Sequence, residues 1–348
     1  MKVLVTGGAG FIGVHTARRF AQRGDDVVVF DNLSRVGARE NLAWLQEAAP
    51  SVCFMPGDVT RAEDLAELAR LHPEIEAIIH LAGQVAVTTS VADPVADFRA
   101  NAEGTLNVLE MARTALSSPI VLYASTNKVY GGLEGVAVEK RGRRYEFRDF
   151  TRGIGESTPL DFHSPYGCSK GAADQYVRDY HRIYGLPTVV LRQSCIYGTR
   201  QFGIEDQGWV AWFTIATQLK RPVTIFGDGC QVRDVLFIDD LVRAYEAAID
   251  RIDVSAGRIY NVGGGPDYAI SLLEFLDLLS EAAELVIQPL SADWRPGDQR
   301  VYVSDIARIR TELGWEPRIG PAEGIERLVE WVRENREMIA PILAAGAR

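Results

Sequence analysis

The residues with the clearest chemical potential are Tyr166 and Lys170, which lie four positions apart in the stretch 161–170. Pro165 suits the first turn of a helix because its φ angle is already close to the helical value. If a helix begins there, the phenol and the ammonium group project from one face and can approach a common point. A free phenol has a pKa near ~10, so it serves as a base at neutral pH only when a nearby cation stabilises the phenolate. Lys170 would supply that cation, although the same spacing also arises in ordinary exposed helices.

A glycine-rich turn near the start of the chain has the composition of a dinucleotide site. Residues 7–13 read Gly-Gly-Ala-Gly-Phe-Ile-Gly, between a β-branched run at 2–6 and an amphipathic segment at 14–23. Glycine lets the backbone approach a pyrophosphate, and the following helix N-terminus offers free N–H groups and partial positive charge. Asp31 ends the next hydrophobic run, where a carboxylate accepts from both ribose hydroxyls and repels a 2′-phosphate. The sequence therefore predicts NAD rather than NADP, with Arg35 as the one feature against it.

The elements that must position these groups alternate between strand and helix patterns. Hydrophobic runs that read as strands occupy 2–6, 27–30, 52–55, 77–81, 120–124 and 187–191. Such alternation predicts a parallel sheet with helices on both faces and ligands beyond the carboxyl ends of the strands. We therefore expect an α/β protein, with a Rossmann-type doubly wound domain over 1–192 that carries an inserted loop at 131–159. A smaller α/β substrate-binding lobe is expected over 193–348, with 234–263 contributing to the first domain.

Polar residues follow several of these runs. Asp58 comes after the third run, Gly83 comes after the fourth, and Thr126 follows the fifth. Asp58 could accept a hydrogen bond from an adenine amino group, or it could only cap the helix that starts near Arg61. Because the carboxyl ends of parallel strands meet at one edge of a sheet, these residues are expected to lie along the same edge. Thr126 would then place a hydroxyl group near Tyr166.

Composition excludes several kinds of partner. The net charge is −10, so broad attraction to nucleic acid or anionic membranes is not expected. No apolar run is long enough to span a bilayer and no signal-peptide pattern is visible, so we expect a cytoplasmic protein. The five histidines and four cysteines show no ligand spacing, and we expect no metal. Cys168 and Cys195 are interpreted as packing residues rather than nucleophiles.

The inserted segment is basic. It contains Lys140, Arg141, Arg143, Arg144, Arg148 and Arg152. A charge run of this kind is typical of a solvated loop. The alternative is a lid over the site or an arm that reaches a neighbouring subunit, because long loops in compact domains are often functional.

The glycine turn with Asp31, the hydroxyl of Thr126, and the pair Tyr166 and Lys170 together resemble the extended short-chain dehydrogenase/reductase family over essentially the whole chain. In that family the tyrosine is the acid/base on a substrate hydroxyl, and the Ser/Thr hydrogen-bonds the same oxygen. The lysine holds the nicotinamide ribose and lowers the tyrosine pKa. The resemblance gives these catalytic roles to Tyr166, Thr126 and Lys170. They suit the oxidation of an alcohol, which needs a base for the hydroxyl proton while a hydride goes to the ring.

The resemblance implies an NAD site along the edge of the sheet. Its expected residues are Gly7, Gly10, Phe11, Ile12, Gly13, Asp31, Asn32, Ser34, Asp58, Val59, Leu81, Ala82, Gly83, Asn101, Ser125, Tyr166 and Lys170.

Later motifs resemble the sugar-nucleotide signatures of the family. Residues 231–234 and 294–298 contain Arg233 and Arg295, whose forked donors match the oxygens of a diphosphate. Polar groups expected to contact the sugar nucleotide are Gln84, Ser125, Thr126, Asn127, Ser194, Gln201 and Gln207. Among these hydroxyl and amide groups, apart from the three residues with catalytic roles, Ser125 is the one that we select as a substrate contact.

The two residues after Thr126 reduce the number of reactions that the resemblance allows. The 4,6-dehydratases of this family carry Asp-Glu there, whereas this chain has Asn127 and Lys128, which lack the acid and base that eliminate water. Longer strings at 125–131, 159–171 and 200–209 resemble family members that epimerise CDP-hexoses at C2 through transient oxidation by bound NAD.

The resemblance therefore implies a nucleoside diphosphate hexose as substrate, with a CDP-sugar favoured. The alternatives are a UDP-hexose 4-epimerase, a 2-epimerase of another nucleotide hexose, and a non-catalytic NAD-binding regulator. Relatives commonly pair through two helices, which would be 95–116 and 166–184 here, so a homodimer or homotetramer is expected.

Overall fold

The computed structural model describes residues 1–294 and 299–346. Its first half contains β1 (Lys2–Thr6), α1 (Phe11–Gln22), β2 (Asp26–Asp31), α2 (Ala38–Ala48), β3 (Cys53–Pro56), α3 (Ala62–Leu71), β4 (Ala77–His80), α4 (Val87–Ala92), α5 (Pro94–Phe98), a π-helical turn (Arg99–Glu103), α6 (Gly104–Thr114), β5 (Ile120–Thr126), a 3-10 turn (Asn127–Tyr130), β6 (Val138–Arg141), β7 (Arg144–Phe147), α7 (Ser164–Tyr184) and β8 (Thr188–Gln193). The second half contains β9 (Cys195–Tyr197), α8 (Trp209–Gln218), β10 (Thr224–Phe226), β11 (Val232–Phe237), α9 (Ile238–Asp250), α10 (Ile252–Ser255), β12 (Ile259–Val262), a 3-10 turn (Pro266–Tyr268), β13 (Ala269–Ser271), α11 (Leu272–Ala283), β14 (Leu290–Ala292), β15 (Val301–Tyr302), α12 (Ala307–Leu313), α13 (Pro321–Glu334) and α14 (Arg336–Gly346).

A seven-stranded parallel sheet organises the first lobe, in the order β12-β8-β5-β4-β1-β2-β3. The strand order reverses between β1 and β4, and a ligand crevice forms at such a switch point beyond the carboxyl ends of the strands. The predicted doubly wound α/β sheet is confirmed.

The central strands are hydrophobic along their length because both faces of the sheet are covered. In β1, Val3 and Val5 belong to a cluster with buried residues of α1 and α9. Leu4, which points the other way, packs with buried residues of α3, α6 and α7. This two-sided burial fixes the positions of the strand ends that carry the candidate site.

The second lobe is built on short strands around β11. Strands β9 and β15 pair with β11 in parallel, β13 pairs with it antiparallel, and β10 pairs with β14. The hydrophobic cluster that contains Val5 of the sheet also contains Phe213 of α8 and Phe275 of α11. The second lobe therefore packs directly on the first. Strand β12 returns to the first lobe as the edge strand beside β8.

The basic insertion is not the solvated loop that its charge run favoured. It forms an antiparallel hairpin of β6 and β7, whose apolar side chains pack against β11 and β15. The ammonium of Lys140 lies 2.8 Å from Asp228, and Arg144 lies 3.2 Å from Glu274. These acidic partners come from distant parts of the chain, so the local sequence could not reveal the docked hairpin.

Among the residues that the structure describes, no helix has the length and apolar character needed to cross a lipid bilayer. The same residues contain no cluster of three or more His, Cys, Asp or Glu side chains that could hold a metal ion.

Candidate active site

Helix α7 presents the predicted pair. It starts at Ser164 with proline in its first turn, and both Tyr166 and Lys170 are buried on one face. The hydroxyl of Ser90 accepts a hydrogen bond from the backbone N–H of Tyr166 at 3.1 Å and donates to the carbonyl of Val87 at 2.7 Å. Ser90 therefore fixes the first turn of α7 against α4.

Thr126 joins this pair from the end of β5. Its hydroxyl group is hydrogen-bonded to the phenol of Tyr166, and the backbone N–H of Lys128 donates to its Oγ1 at 3.2 Å. It also lies 3.3 Å from Oδ1 of Asn127. Thr126, Tyr166 and Asn127 therefore lie together at the edge of the sheet.

The side chain of Lys170 reaches the carboxyl-terminal part of β5. Its Nζ donates to the carbonyl of Ala124 at 2.6 Å and lies 4.3 Å from the ring centre of Tyr123. Burial lowers the pKa of Lys170 to about 7, although the charges of Asp174 and Asp97 oppose this change. The ammonium is therefore close to titration at neutral pH.

The phenol differs from expectation in one respect. We expected Lys170 to lower the pKa of Tyr166, but the pKa is raised to about 12 because burial disfavours the phenolate. The hydrogen bond from Thr126 and the charge of Arg35 act in the opposite direction and only partly offset burial. Further positive charge is needed before this phenol can act as a base near neutrality.

The glycine turn presses against the exit of β4. Gly7 has a φ of 66°, and a Cβ there would lie 2.7 Å from the backbone nitrogen of Ala82. A Cβ on Gly13 would lie 2.3 Å from the carbonyl oxygen of Gly7. Only glycine fits these two positions, and the turn leads directly to the exposed N–H groups of α1, where Gly10 is the N-cap residue and Phe11 opens the helix.

Asp31 ends β2 beside this turn. One carboxylate oxygen accepts from the N–H of Ala9 at 3.0 Å, and the other accepts from the N–H of Leu33 at 2.7 Å. Burial raises the pKa of this carboxyl group, and the two backbone hydrogen bonds partly offset the change. The carboxylate is thus held next to the phosphate-binding turn, which is the placement that a ribose contact requires.

The other predicted cofactor residues follow the neighbouring strands. Asn32 and Ser34 come after β2, Asp58 and Val59 after β3, Leu81, Ala82 and Gly83 after β4, and Ile12 lies in the first turn of α1. Asn32 donates to the carboxylate of Asp58 at 2.7 Å, which joins two of these loops. Burial alone would raise the pKa of Asp58, but hydrogen bonds from Thr60 and Asn32 outweigh burial and the pKa is lowered. Asp58 also caps the turn before α3 through the N–H of Thr60, so both of its predicted roles remain compatible with the structure.

Asn101 lies where the sheet edge meets α7. Its amide nitrogen donates to Asp97 and to Ser169, each at 3.1 Å. Its Oδ1 is buried and has no hydrogen-bond partner among the described residues. A Cβ on Gly83 would lie 2.5 Å from this oxygen. A glycine cradle beside an unpaired buried acceptor fits a hydroxyl-bearing group such as a nicotinamide ribose, so the residues present fit NAD.

Sequence reasoning missed Asp97 and Ser169, which hold Asn101. The hydroxyl of Ser169 donates to the carboxylate of Asp97 at 2.5 Å. Asp97 precedes Asn101 by four positions and Ser169 follows Tyr166 by three, so helical spacing was the signal that could have found both.

Several side chains that were predicted to contact the substrate are hydrogen-bonded to other groups of the protein. The hydroxyl of Ser125 donates to the buried carboxylate of Asp174 at 2.7 Å, so our expectation of a side-chain contact with substrate or cofactor is not supported. Both amide atoms of Gln84 bind the backbone of Ala86, at 2.6 and 2.7 Å. The hydroxyl of Ser194 donates to the carboxylate of Asp234. In each case the side chain forms its hydrogen bonds with a nearby backbone or carboxylate group of the protein.

Other predicted contacts line the space between the lobes. Gln201 and Gln207 line a narrow groove together with Gly10 and Phe11 of the glycine turn, and Arg35 also contributes. The Oε1 atom of Gln201 is buried without a hydrogen-bond partner among the described residues.

Arg233 lies on β11, where its Nη1 donates to the carbonyl of Val232 at 2.8 Å. Arg295, the second predicted diphosphate ligand, lies outside the described residues. Cys195 accepts a hydrogen bond from the indole of Trp209 at 2.8 Å, and burial raises its thiol pKa to about 11. A thiol with that pKa is protonated at neutral pH, which favours the packing role over a nucleophilic one.

Comparisons with known proteins agree with this geometry. The family model described as "NAD dependent epimerase/dehydratase family" matches residues 3–263. The chain is 44% identical over 336 residues to CDP-paratose 2-epimerase from Salmonella typhi, and the match covers 95% of this chain and 99% of the relative.

Solved structures of two relatives share the fold. UDP-glucose 4-epimerase from Thermotoga maritima, solved with UDP-glucose, superimposes with a TM-score of 0.83 at 31% identity, covering 97% of this chain and 100% of its own. A dTDP-glucose 4,6-dehydratase from Streptomyces venezuelae, solved with NAD, gives a TM-score of 0.82 at 31% identity, covering 98% of this chain and 100% of its own.

Proposed function

The chain belongs to the NAD dependent epimerase/dehydratase family, and on that basis we propose that it is a CDP-hexose 2-epimerase of the kind known from Salmonella typhi. It is an NAD-dependent enzyme. The observation that carries the proposal is the hydrogen-bonded pair of Thr126 and Tyr166, with Lys170 buried on the same face of α7 as Tyr166. Asn127 and Lys128 follow Thr126 at the positions where the family's dehydratases carry an acid and a base.

The side chains divide the work on the substrate. Thr126 holds the oxygen at C2 of the hexose, and Tyr166 takes the proton from it as the alcohol is oxidised. NAD, when bound, supplies the group that accepts the hydride and that later returns the hydride. After the keto sugar turns over, Tyr166 would return the proton to the C2 oxygen, and reduction on the opposite face would invert C2.

The electrostatics of the site suit a base whose activity depends on the cofactor. The pKa of Tyr166 is raised to about 12 by burial, so the phenol is neutral until positive charge arrives nearby. A protonated Lys170 and an oxidised nicotinamide ring are both positive and favour the phenolate. The base is therefore expected to be active only when the oxidised cofactor is in place.

A 4-epimerase that acts on a UDP-hexose is the second candidate, because the Thermotoga maritima relative shares the whole fold. The two candidates separate in one experiment. The protein is incubated with CDP-paratose or CDP-tyvelose and, separately, with UDP-glucose, and the configuration at each sugar carbon is followed by NMR. Inversion at C2 of the CDP-sugar supports the proposal, and inversion only at C4 of the UDP-sugar refutes it.

We further propose that the protein forms homodimers through the helices within 95–116 and 166–184. Large apolar side chains of these segments are exposed, namely Val95, Phe98, Tyr176, Ile183 and Tyr184, and Val91 of α4 is exposed as well. Exposed apolar surface on a folded chain often marks an interface. A second copy is the expected occupant because relatives commonly pair through the corresponding helices. Assembly into a tetramer and a cytoplasmic location stay predictions.

A further inference from the structure

Lys128 connects the catalytic turn to the second lobe. Its backbone N–H donates to Oγ1 of Thr126 at 3.2 Å, so this residue is part of the turn that holds the catalytic hydroxyl. Its Nζ lies 3.3 Å from Oε1 of Gln299, and the amide nitrogen of Gln299 donates to the carbonyl of Gly131. The ammonium is therefore directed to the place where the two lobes meet.

Gln299 leads into the strands that carry Arg233. The next residues pair with β11, since the N–H of Val232 donates to the carbonyl of Arg300 at 2.9 Å and Arg233 lies opposite Tyr302. One cation from each lobe therefore lies beside the segment 299–302, Lys128 at Gln299 and Arg233 opposite Tyr302.

The chemistry of the substrate separates C2 from C4 by their distance from the diphosphate. C2 is bonded to C1, which carries the diphosphate oxygen, whereas C4 lies across the sugar ring. When the C2 oxygen binds Thr126 and Tyr166, the phosphates must lie close to the catalytic turn. When the C4 oxygen binds there, the phosphates lie further away by the width of the ring.

We propose that Lys128 is a specificity-determining residue that holds the diphosphate close to Thr126 and thereby presents C2, rather than C4, to Tyr166. The inference rests on the proposed 2-epimerase function. A cation in the catalytic turn itself favours the short spacing, because ammonium–phosphate contacts are strong only at close range. Arg233 of β11, which pairs with Tyr302, would supply a second cation to the same diphosphate. While both cations hold the phosphates, the sugar can turn about its link to them and present either face of C2.

The test compares Lys128→Met with the wild-type protein in two measurements. The first is the Kd of CDP itself, which we expect to rise about 10- to 100-fold on loss of a charged hydrogen bond. The second is a single turnover with a CDP-hexose deuterated at C2 or at C4, in which the label on the bound cofactor is measured. The ratio of C2 to C4 transfer should fall at least tenfold in the variant.

Lys140→Met is the matched control, since this exposed lysine pairs with Asp228 on the hairpin and should change neither value. NAD content reports folding, and Lys128→Gln replaces the methionine variant if that variant loses NAD. A CDP affinity within twofold of wild type and an unchanged transfer ratio would overturn the role of Lys128. Label transfer from C4 alone in the wild-type protein would instead refute the proposed function, and the inference would go with it.

Discussion

Tyr166 and Lys170 are both buried, and burial moves their pKa values in opposite directions. The pKa of the Tyr166 phenol is raised to about 12, and the pKa of the Lys170 ammonium is lowered to about 7. Both changes favour the neutral forms, so burial opposes the charge that each group carries when it is ionised. The reactive state of the pair therefore depends on what binds beside it.

The pKa of Lys170 predicts how stability depends on pH. The folded protein loses this proton near pH 7, whereas the unfolded chain keeps it up to the ordinary value of 10.5. Between these values the unfolded state binds more protons, so stability rises with pH by up to about 1.4 kcal/mol per unit. Denaturation of NAD-free protein should show this rise relative to Lys170→Met between pH 7 and 10. A constant difference between the two proteins would mean that Lys170 has an ordinary pKa.

Removal of the phenolic hydroxyl group should stop catalysis and leave the fold intact. We expect Tyr166→Phe to lower kcat by about 10²- to 10⁴-fold, the usual contribution of a positioned acid/base. NAD content and the unfolding transition should stay close to wild type. Tyr176→Phe is the matched control, because Tyr176 lies on the same helix and is exposed. Equal activity of the two variants would remove Tyr166 from the reaction.

Asp31 is expected to select the cofactor. Asp31→Ala should weaken NAD binding by about 10- to 100-fold, because hydrogen bonds to a charged group are lost. Asp26→Ala is the control, since Asp26 starts the same strand at its opposite end. Calorimetric titration of cofactor-free protein with NAD measures the affinity of both variants. Unchanged affinity in Asp31→Ala would rule out the ribose contact.

At the scale of elements, α7 is joined to β8 by a buried ion pair and to β5 by a hydrogen bond to the same carboxylate. Asp174 lies one turn after Lys170, and Arg192 of β8 binds its carboxylate at 2.9 and 3.0 Å. Ser125 of β5 donates to the same carboxylate. Asp174 and Arg192 are almost fully buried, so the pair ties α7 to β8, while Ser125 ties α7 to β5, the strand that presents Thr126.

Breaking this pair should destabilise the first lobe. Asp174→Asn leaves the guanidinium of Arg192 buried without a compensating charge, and the expected loss is about 3–5 kcal/mol. Asp179→Asn, at an exposed position of the same helix, should change the free energy of unfolding by less than about 0.5 kcal/mol. Chemical denaturation measures both values, and similar small losses in the two variants would show that the pair does not anchor α7.

Local sequence patterns predicted the helices and strands better than they predicted which side chains contact each other. Pro165 and the spacing of Tyr166 and Lys170 correctly located the start and the face of α7. Ser125 was misjudged because side chains alternate along a strand, and a residue next to Thr126 must face away from it. Ser194 could not be placed from the sequence, because its partner Asp234 is brought near by the pairing of β9 with β11.

At the scale of the whole molecule, the order of strands explains why separated motifs share one site. The glycine turn and Gly83 follow β1 and β4, and Asp31 and Thr126 end β2 and β5. These four strands are neighbours in the sheet. Alternation of strand and helix patterns predicted this edge. The tight docking of the second lobe and of the hairpin depends on long-range contacts, which a periodic pattern does not encode.

The exposed apolar face predicts the assembly. Substitution of Ile183 by Asp places a charge where the proposed dimer buries apolar surface, so light scattering should show the mass falling from a multiple of the 38.4 kDa chain to the monomer. Val286→Asp is the control, because Val286 is 87% exposed but lies in the second lobe. A wild-type monomer, or an unchanged mass for the Ile183 variant, would contradict the proposed interface.

The central claim is that C2 is oxidised and reduced by a cofactor that stays bound, with Tyr166 moving only the proton. The most direct measurement follows a CDP-hexose deuterated at C2 through epimerisation in ordinary water. The account predicts inverted product that keeps its deuterium at C2 and a primary isotope effect on the single-turnover rate. Loss of the deuterium to solvent would mean direct deprotonation of C2, and would contradict the account.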